Sequence, residues 1–302
     1  PENGVSAQEV KGTVLDKDQP NSIETAGTYI LKGGDYSYSY EGDDGYETED
    51  GGGVNISAAG QNVIIEITGN ITGFGGITVD DVGTLTINNN GHTVSSICRA
   101  FLSTSATSGA PKYTISVNGG TYTTYAESTY LLGMFALENP NATVYLNNIT
   151  YSGKPSAVYN KGIAEITGGN YCGSANSWIN NYRATIYCAN RTTLTNATVS
   201  QTDGCSAVLV TNGATVTIEG GTYSATSGEG TLHSDDLATL YNADGHLEVN
   251  NATVSGTGNK GAVLNESVSI WMSHETKPVT IITGGIYTGS NISYSKFGDS
   301  FS

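Results

Sequence analysis

Val216-Thr217-Ile218-Glu219-Gly220-Gly221-Thr222-Tyr223 is the phrase on which the fold turns. Val216 and Ile218 fall on one side and Thr217 and Glu219 on the other, the period of two that marks a half-buried strand. Two glycines then interrupt the strand, which suits a bend at positive φ, because glycine has no β-carbon to clash there. The phrase recurs upstream as Ile166-Thr167-Gly168-Gly169-Asn170-Tyr171 and Val117-Asn118-Gly119-Gly120-Thr121-Tyr122, and downstream as Ile282-Thr283-Gly284-Gly285-Ile286-Tyr287. Between these stand Leu146-Asn147-Asn148-Ile149-Thr150-Tyr151, Leu194-Thr195-Asn196-Ala197-Thr198-Val199 and Val249-Asn250-Asn251-Ala252-Thr253-Val254. There Asn takes the bend, since it also tolerates the left-handed region. Looser copies at Ile67-Thr68-Gly69-Asn70-Ile71 and Ile87-Asn88-Asn89 bring the units to nine, spaced 20 to 33 residues apart. From Gly119 to Gly284 the Gly-Gly and Asn-Ala or Asn-Ile forms alternate strictly, as duplication of a two-turn cassette would leave them.

A second strand recurs between the bends, as Ala157-Val158-Tyr159-Asn160, Ala207-Val208-Leu209-Val210, Ala238-Thr239-Leu240-Tyr241 and Ala262-Val263-Leu264-Asn265. Units of this length with two or three short strands are too long for a hexapeptide helix and lack the leucine spacing of a leucine-rich repeat. Stacked at the ~4.8 Å interstrand distance, each strand pairs in parallel with its equivalents above and below. The expected fold is therefore all-β: a right-handed parallel β-helix, a solenoid of about nine to ten turns with an N-terminal cap. The chain resembles the pectin-lyase-like right-handed parallel β-helix superfamily, and within it the adhesin-like bacterial surface proteins whose turns carry an Ile-x-Gly-Gly-Thr-Tyr phrase. Asn89-Asn90-Gly91-His92-Thr93-Val94 is similar to a segment common near the start of such helices. The resemblance covers residues 54 to 290 and bears on fold rather than activity.

Residues 1–53 hold one weak copy, Tyr29-Ile30-Leu31-Lys32-Gly33-Gly34-Asp35-Tyr36, and are read as the cap that hides the open core and strand edges. Residues 54–290 are the repeats, and 291–302 a short polar tail or second cap. The run Glu41 to Asp50 reads as a loop.

Gly is 40 of 302 residues and charged residues are only 13%, while Tyr numbers 19, a balance that excludes a helical bundle. The net charge of −16 repels a phosphate backbone, so nucleic acid is excluded as a partner. No apolar run is long enough for a membrane-spanning helix, and membrane insertion is not expected. Pro1-Glu2-Asn3 lacks the basic and apolar regions of a leader, so the chain reads as starting after any such segment. The acidic, Thr/Asn/Gly-rich composition points to an extracellular or bacterial cell-surface location. Cys98, Cys172, Cys188 and Cys205 allow three pairings, but a chain this long needs no staples, and free buried thiols are the simpler reading. Nine Asn-x-Ser/Thr sequons arise mainly from the repeat.

Cleavage of polysaccharides is the enzymatic alternative that the resemblance implies, and the residues support it weakly. A lyase would need Arg or Lys beside an acidic calcium site, and Arg99, Arg183 and Arg191 sit in different units. A hydrolase would need paired carboxylates, for which Asp235, Asp236 and His246 are the nearest set. An ordinary polar turn is the simpler explanation of them.

The recurrent position held by Tyr122, Tyr151, Tyr171, Tyr223 and Tyr287 accepts Val199 and Val254, as a core stack would and a sugar-stacking ladder would not. Tyr36, Tyr38 and Tyr40, which alternate with serines, and Trp178, in a long insertion, are instead the candidates for an exposed glycan-binding surface. Asp43, Asp44, Glu47 and Asp50 could wrap calcium, the one cofactor suggested, although their spacing matches no known loop. The expected function is that of a non-catalytic, extracellular, adhesin-like rod binding glycans or a surface partner. The further alternative is a subunit that self-associates through its solenoid ends into a filament or surface layer.

Overall fold

A computed structural model describes residues 10–42, 45–105, 109–124, 132–154, 156–174, 184–202, 204–226, 238–257, 261–265, 277–289, 292 and 296–297. Among these the chain is all strand and turn, and every strand but the two of one hairpin belongs to a single parallel system. The fold is a β-solenoid, as the repeat requires.

Each turn contributes three strands, one more than the two plainly visible in the sequence. The first sheet stacks Leu102–Thr104, Gly133–Leu137, Ser156–Asn160, Ala184–Cys188, Ser206–Val210, Leu240–Asn242 and Val263–Asn265. The second stacks Thr114–Asn118, Thr143–Asn147, Ile163–Thr167, Thr192–Thr195 and Thr215–Glu219. The third, beyond the bend, stacks Thr93–Ser96, Thr121–Thr124, Thr150–Gly153, Asn170–Gly173, Thr198–Gln201 and Thr222–Thr226. The longer strands Val54–Ile67, Ile77–Asn88, His246–Thr257 and Val279–Thr288 run through a corner. The first two join the first and second sheets, and the last two join the second and third.

The parallel ladders begin ahead of residue 54. Asn21–Ile23 and Gly27–Leu31 pair with Val54–Ile67, and Gly34–Asp35 pairs with Ile71–Thr72, so the weak N-terminal copy is a full turn of the solenoid. The acidic run is not simply a loop: Tyr38–Gly42 and Gly45–Glu49 form an antiparallel hairpin that stands outside the ladders.

One core runs the length of the stack. Register places Val94, Tyr122, Tyr151, Tyr171, Val199, Tyr223, Val254 and Tyr287 in one column, and all but Tyr287 are 0% exposed. Tyrosine and valine interchange there because each need only fill the interior at its level. Cys98, Cys172, Cys188 and Cys205 are thiols; Cys188 and Cys205 are buried, and burial pushes the Cys188 thiol up to about 12.

The alternation of bends has a steric cause. Asn148, Asn196 and Asn251 hold positive φ, and each side chain lies over the glycine of the following turn. A β-carbon on Gly168, Gly220 or Gly284 would overlap the Oδ1 of Asn148, Asn196 or Asn251 respectively. An asparagine bend therefore leaves no room for a β-carbon on the bend above it unless its own side chain moves.

Candidate functional site

The residues singled out from the sequence do not assemble into one site. Tyr36 is 3% exposed, so its reading as an exposed aromatic is corrected. It extends the third sheet's first rung, donates its hydroxyl to the Lys32 carbonyl, and meets Phe74 edge-on at 5.6 Å. Tyr38 is 50% exposed and donates to Glu49 Oε2 at 2.8 Å. Tyr40 and Glu47 lie in the hairpin, but their side chains are outside the described set, as are Asp43, Asp44, Trp178, Asp235 and Asp236 altogether. His246 Nε2 lies 3.0 Å from Glu248 Oε1, and both side chains are partly exposed. Among the described residues no three His, Cys, Asp or Glu side chains are grouped to hold a metal.

Asp50, one of the candidate calcium ligands, is 3% exposed and its carboxylate is engaged by the backbone. Its Oδ1 accepts the Ile97 N–H at 2.6 Å, and its Oδ2 accepts those of Cys98 and Arg99 at 2.7 and 2.9 Å. Three backbone donors thus converge on one carboxylate, tying the hairpin to the loop after Thr93–Ser96. Asp50→Ala leaves all three without an acceptor and is expected to cost about 3 kcal/mol, read as a lowered melting temperature. An unchanged melt would show that water replaces the carboxylate.

What remains are the three outer faces of the solenoid, and they differ in kind. On the first sheet Tyr159, Tyr187, Leu209 and Tyr241 share an outward column, opposite core residues such as Val158, Ile186 and Val208. Tyr159 and Tyr187 stack at 4.8 Å and 15°, with Lys161 Nζ 5.3 Å over the Tyr159 ring. This aromatic column is 0 to 5% exposed and so presents no open surface.

On the second sheet the outward asparagines and several of the charged side chains are paired with one another. Asn147 donates to Asn118, Asn118 to Asn88 and Asn88 to Glu66, at 2.9, 3.0 and 2.7 Å. Asn250 donates to Glu219 at 2.8 Å, and Arg191 lies 3.8 Å from Glu165.

On the third sheet the residues either side of the buried Tyr/Val column point outward. One column runs Thr93, Thr121, Thr150, Asn170, Thr198, Thr222, Thr253 and Ile286. The other runs Ser95, Thr123, Ser152, Cys172, Ser200, Ser224, Ser255 and Thr288. Thirteen of these sixteen positions carry a hydroxyl and none carries a charge. From Thr150 to Thr253 the first column is exposed, and the second is mostly half-exposed. The signal was present in the sequence as Thr121-Tyr122-Thr123, Thr198-Val199-Ser200 and Thr222-Tyr223-Ser224. It is recognisable only once the central residue is known to be buried. This hydroxyl face is the candidate contact surface.

No family model, no curated protein and no solved structure matches this chain.

Proposed function

We propose that the protein is a non-catalytic, extracellular, adhesin-like rod that attaches to glycans. The observation that carries this reading is the repetition of the third face. The same pair of outward positions recurs over eight turns, and hydroxyls fill most of them. Catalysis needs one unique convergence of acid, base and binding groups, whereas repetition of a weak contact suits many-point attachment. The acidic, Thr/Asn/Gly-rich composition supports an extracellular or bacterial surface setting, and no described helix is long and apolar enough to cross a membrane. The test is a glycan array with reducing-sugar and unsaturated-product assays on the same samples, calcium added or chelated. Binding without product is expected; product formation would overturn the reading in favour of a polysaccharide lyase or hydrolase.

One observation favours a second reading, self-association end to end. Of eight exposed large apolar residues among those described, Val10 and Val14 lie at the first turn and Val279, Ile286 and Ile292 at the last. Ends of a solenoid are open strand edges, and apolar residues there favour stacking of copies into a filament. Sedimentation velocity over a range of concentrations tests this, and a strict monomer throughout would dispose of it.

A further inference from the structure

We infer that the hydroxyl face of the third sheet binds the ordered surface of an insoluble, uncharged, β-linked polysaccharide, with the polymer chains lying along the rod axis. The inference rests on the glycan-attachment reading above and names the ligand class and the face.

Four observations converge on it. First, in the outer column the hydroxyls of Thr121, Thr150, Thr198, Thr222 and Thr253 have no hydrogen-bond partner among the described residues, whereas the Asn and Glu side chains of the second sheet are paired. Each can donate and accept, as sugar hydroxyls do. Second, a chain of net charge −16 keeps all sixteen positions of this face free of charge. Recognition there is not ionic, and an acidic polymer would be repelled by the rest of the molecule.

Third, the rows follow the solenoid rise of ~4.8 Å. A β-1,4-linked ribbon advances by a slightly longer step per sugar, so sugars and turns can stay in register over a few turns. Fourth, magnitudes favour a solid over a dissolved ligand. A hydroxyl exchanged from water to a partner nets about 0.5–1.5 kcal/mol. A flexible chain would lose that gain in becoming ordered, whereas chains already fixed in a solid would not.

The test is co-sedimentation of the whole chain with cellulose and chitin powders. Wild type is expected to leave the supernatant with at least one of them. The T198K/T222K/T253K variant places three adjacent lysines on the face, in direct register. It should lose at least about tenfold in apparent affinity, the equivalent of about 1.4 kcal/mol. T215K, an exposed position on the second sheet, should bind as wild type. Should the lysine variant fail to fold, T198V/T222V/T253V removes the hydroxyls with strand-favouring residues of similar shape and should weaken binding at least about threefold. Wild type remaining in solution with both powders, ice shaping in place of powder binding, undiminished binding by the face variants, or equal loss in T215K would each overturn the assignment. Soluble-glycan binding that survives in the lysine variant would overturn this face while leaving the attachment function standing; no glycan binding of any kind would overturn both.

Discussion

Above pH 10 the protein is expected to unfold cooperatively, because its core is built on phenols that cannot ionise in place. Burial raises Tyr122, Tyr151, Tyr171 and Tyr223 well above the ordinary value of 10.0, and it pushes Tyr287 up to about 12. In the unfolded chain each phenol ionises near its ordinary value, so above it the native state holds more protons than the unfolded one. Stability from this source is complete below pH 10 and is lost as pH rises beyond it. Each buried phenol contributes a slope of about 1.4 kcal/mol per pH unit, and the four most buried together about 5 to 6. A domain stable by about 5–15 kcal/mol would be exhausted within one to three units. Urea midpoints from about pH 8 to about pH 11 should be flat and then fall steeply, with tyrosinate absorbance rising in the same transition. The hydroxyls of Tyr171 and Tyr223 are buried with no partner among the described residues. Tyr171→Phe and Tyr223→Phe should therefore be tolerated at neutral pH, gaining up to about 1 kcal/mol each, and should flatten the alkaline slope. Phenols that titrate gradually near pH 10 while the fold persists would contradict the buried stack.

That stack was legible in the sequence because one substitution exposed it: Val199 and Val254 occupy a position held elsewhere by Tyr, and both residue types fill a core. The solenoid itself followed from the same repeat. The turns that escaped were those where the repeat is diluted. Tyr36 reads as an exposed aromatic when grouped with Tyr38 and Tyr40, yet Gly34 and Asp35 pair with Ile71 and Thr72, which carries Tyr36 inward. The hairpin beyond it carries residues of both kinds, and sequence spacing does not say where the parallel ladder stops. The hydroxyl columns are a register effect: thirteen serines and threonines become a surface only when their turns are aligned. The burial of Tyr159, Tyr187 and Tyr241 on the outward side of the first sheet was illegible for a different reason. Alternation along a strand assigns a residue to one face or the other, and it does not say whether the outer face is covered.

Neighbouring glycines in one bend are expected to respond differently to the same substitution. Gly220 and Gly221 have φ of 68° and 88°, so Ala at either is strained by about 1–2 kcal/mol before any contact is considered. At Gly220 the new methyl meets the side-chain Oδ1 of Asn196, and at Gly221 it meets the backbone carbonyl oxygen of Ala197. A side chain can move or be removed, whereas a carbonyl oxygen in the adjoining turn cannot move without disturbing the ladder. Gly220→Ala should therefore cost about 2–3 kcal/mol and Gly221→Ala about 4 or more. The decisive comparison is a double-mutant cycle with Asn196→Gly. Removing the asparagine should bring Gly220→Ala back to the conformational cost of about 1–2 kcal/mol and leave Gly221→Ala unrelieved. Chemical denaturation of the wild type, the three single variants and the two double variants measures this. Equal costs of Gly220→Ala in both backgrounds would mean that the asparagine does not select the glycine above it. The strict alternation of bends would then be a relic of duplication rather than a condition of stacking. If the cycle couples as expected, each Asn bend forbids a second one directly above it, and the alternation of bends is a condition of stacking.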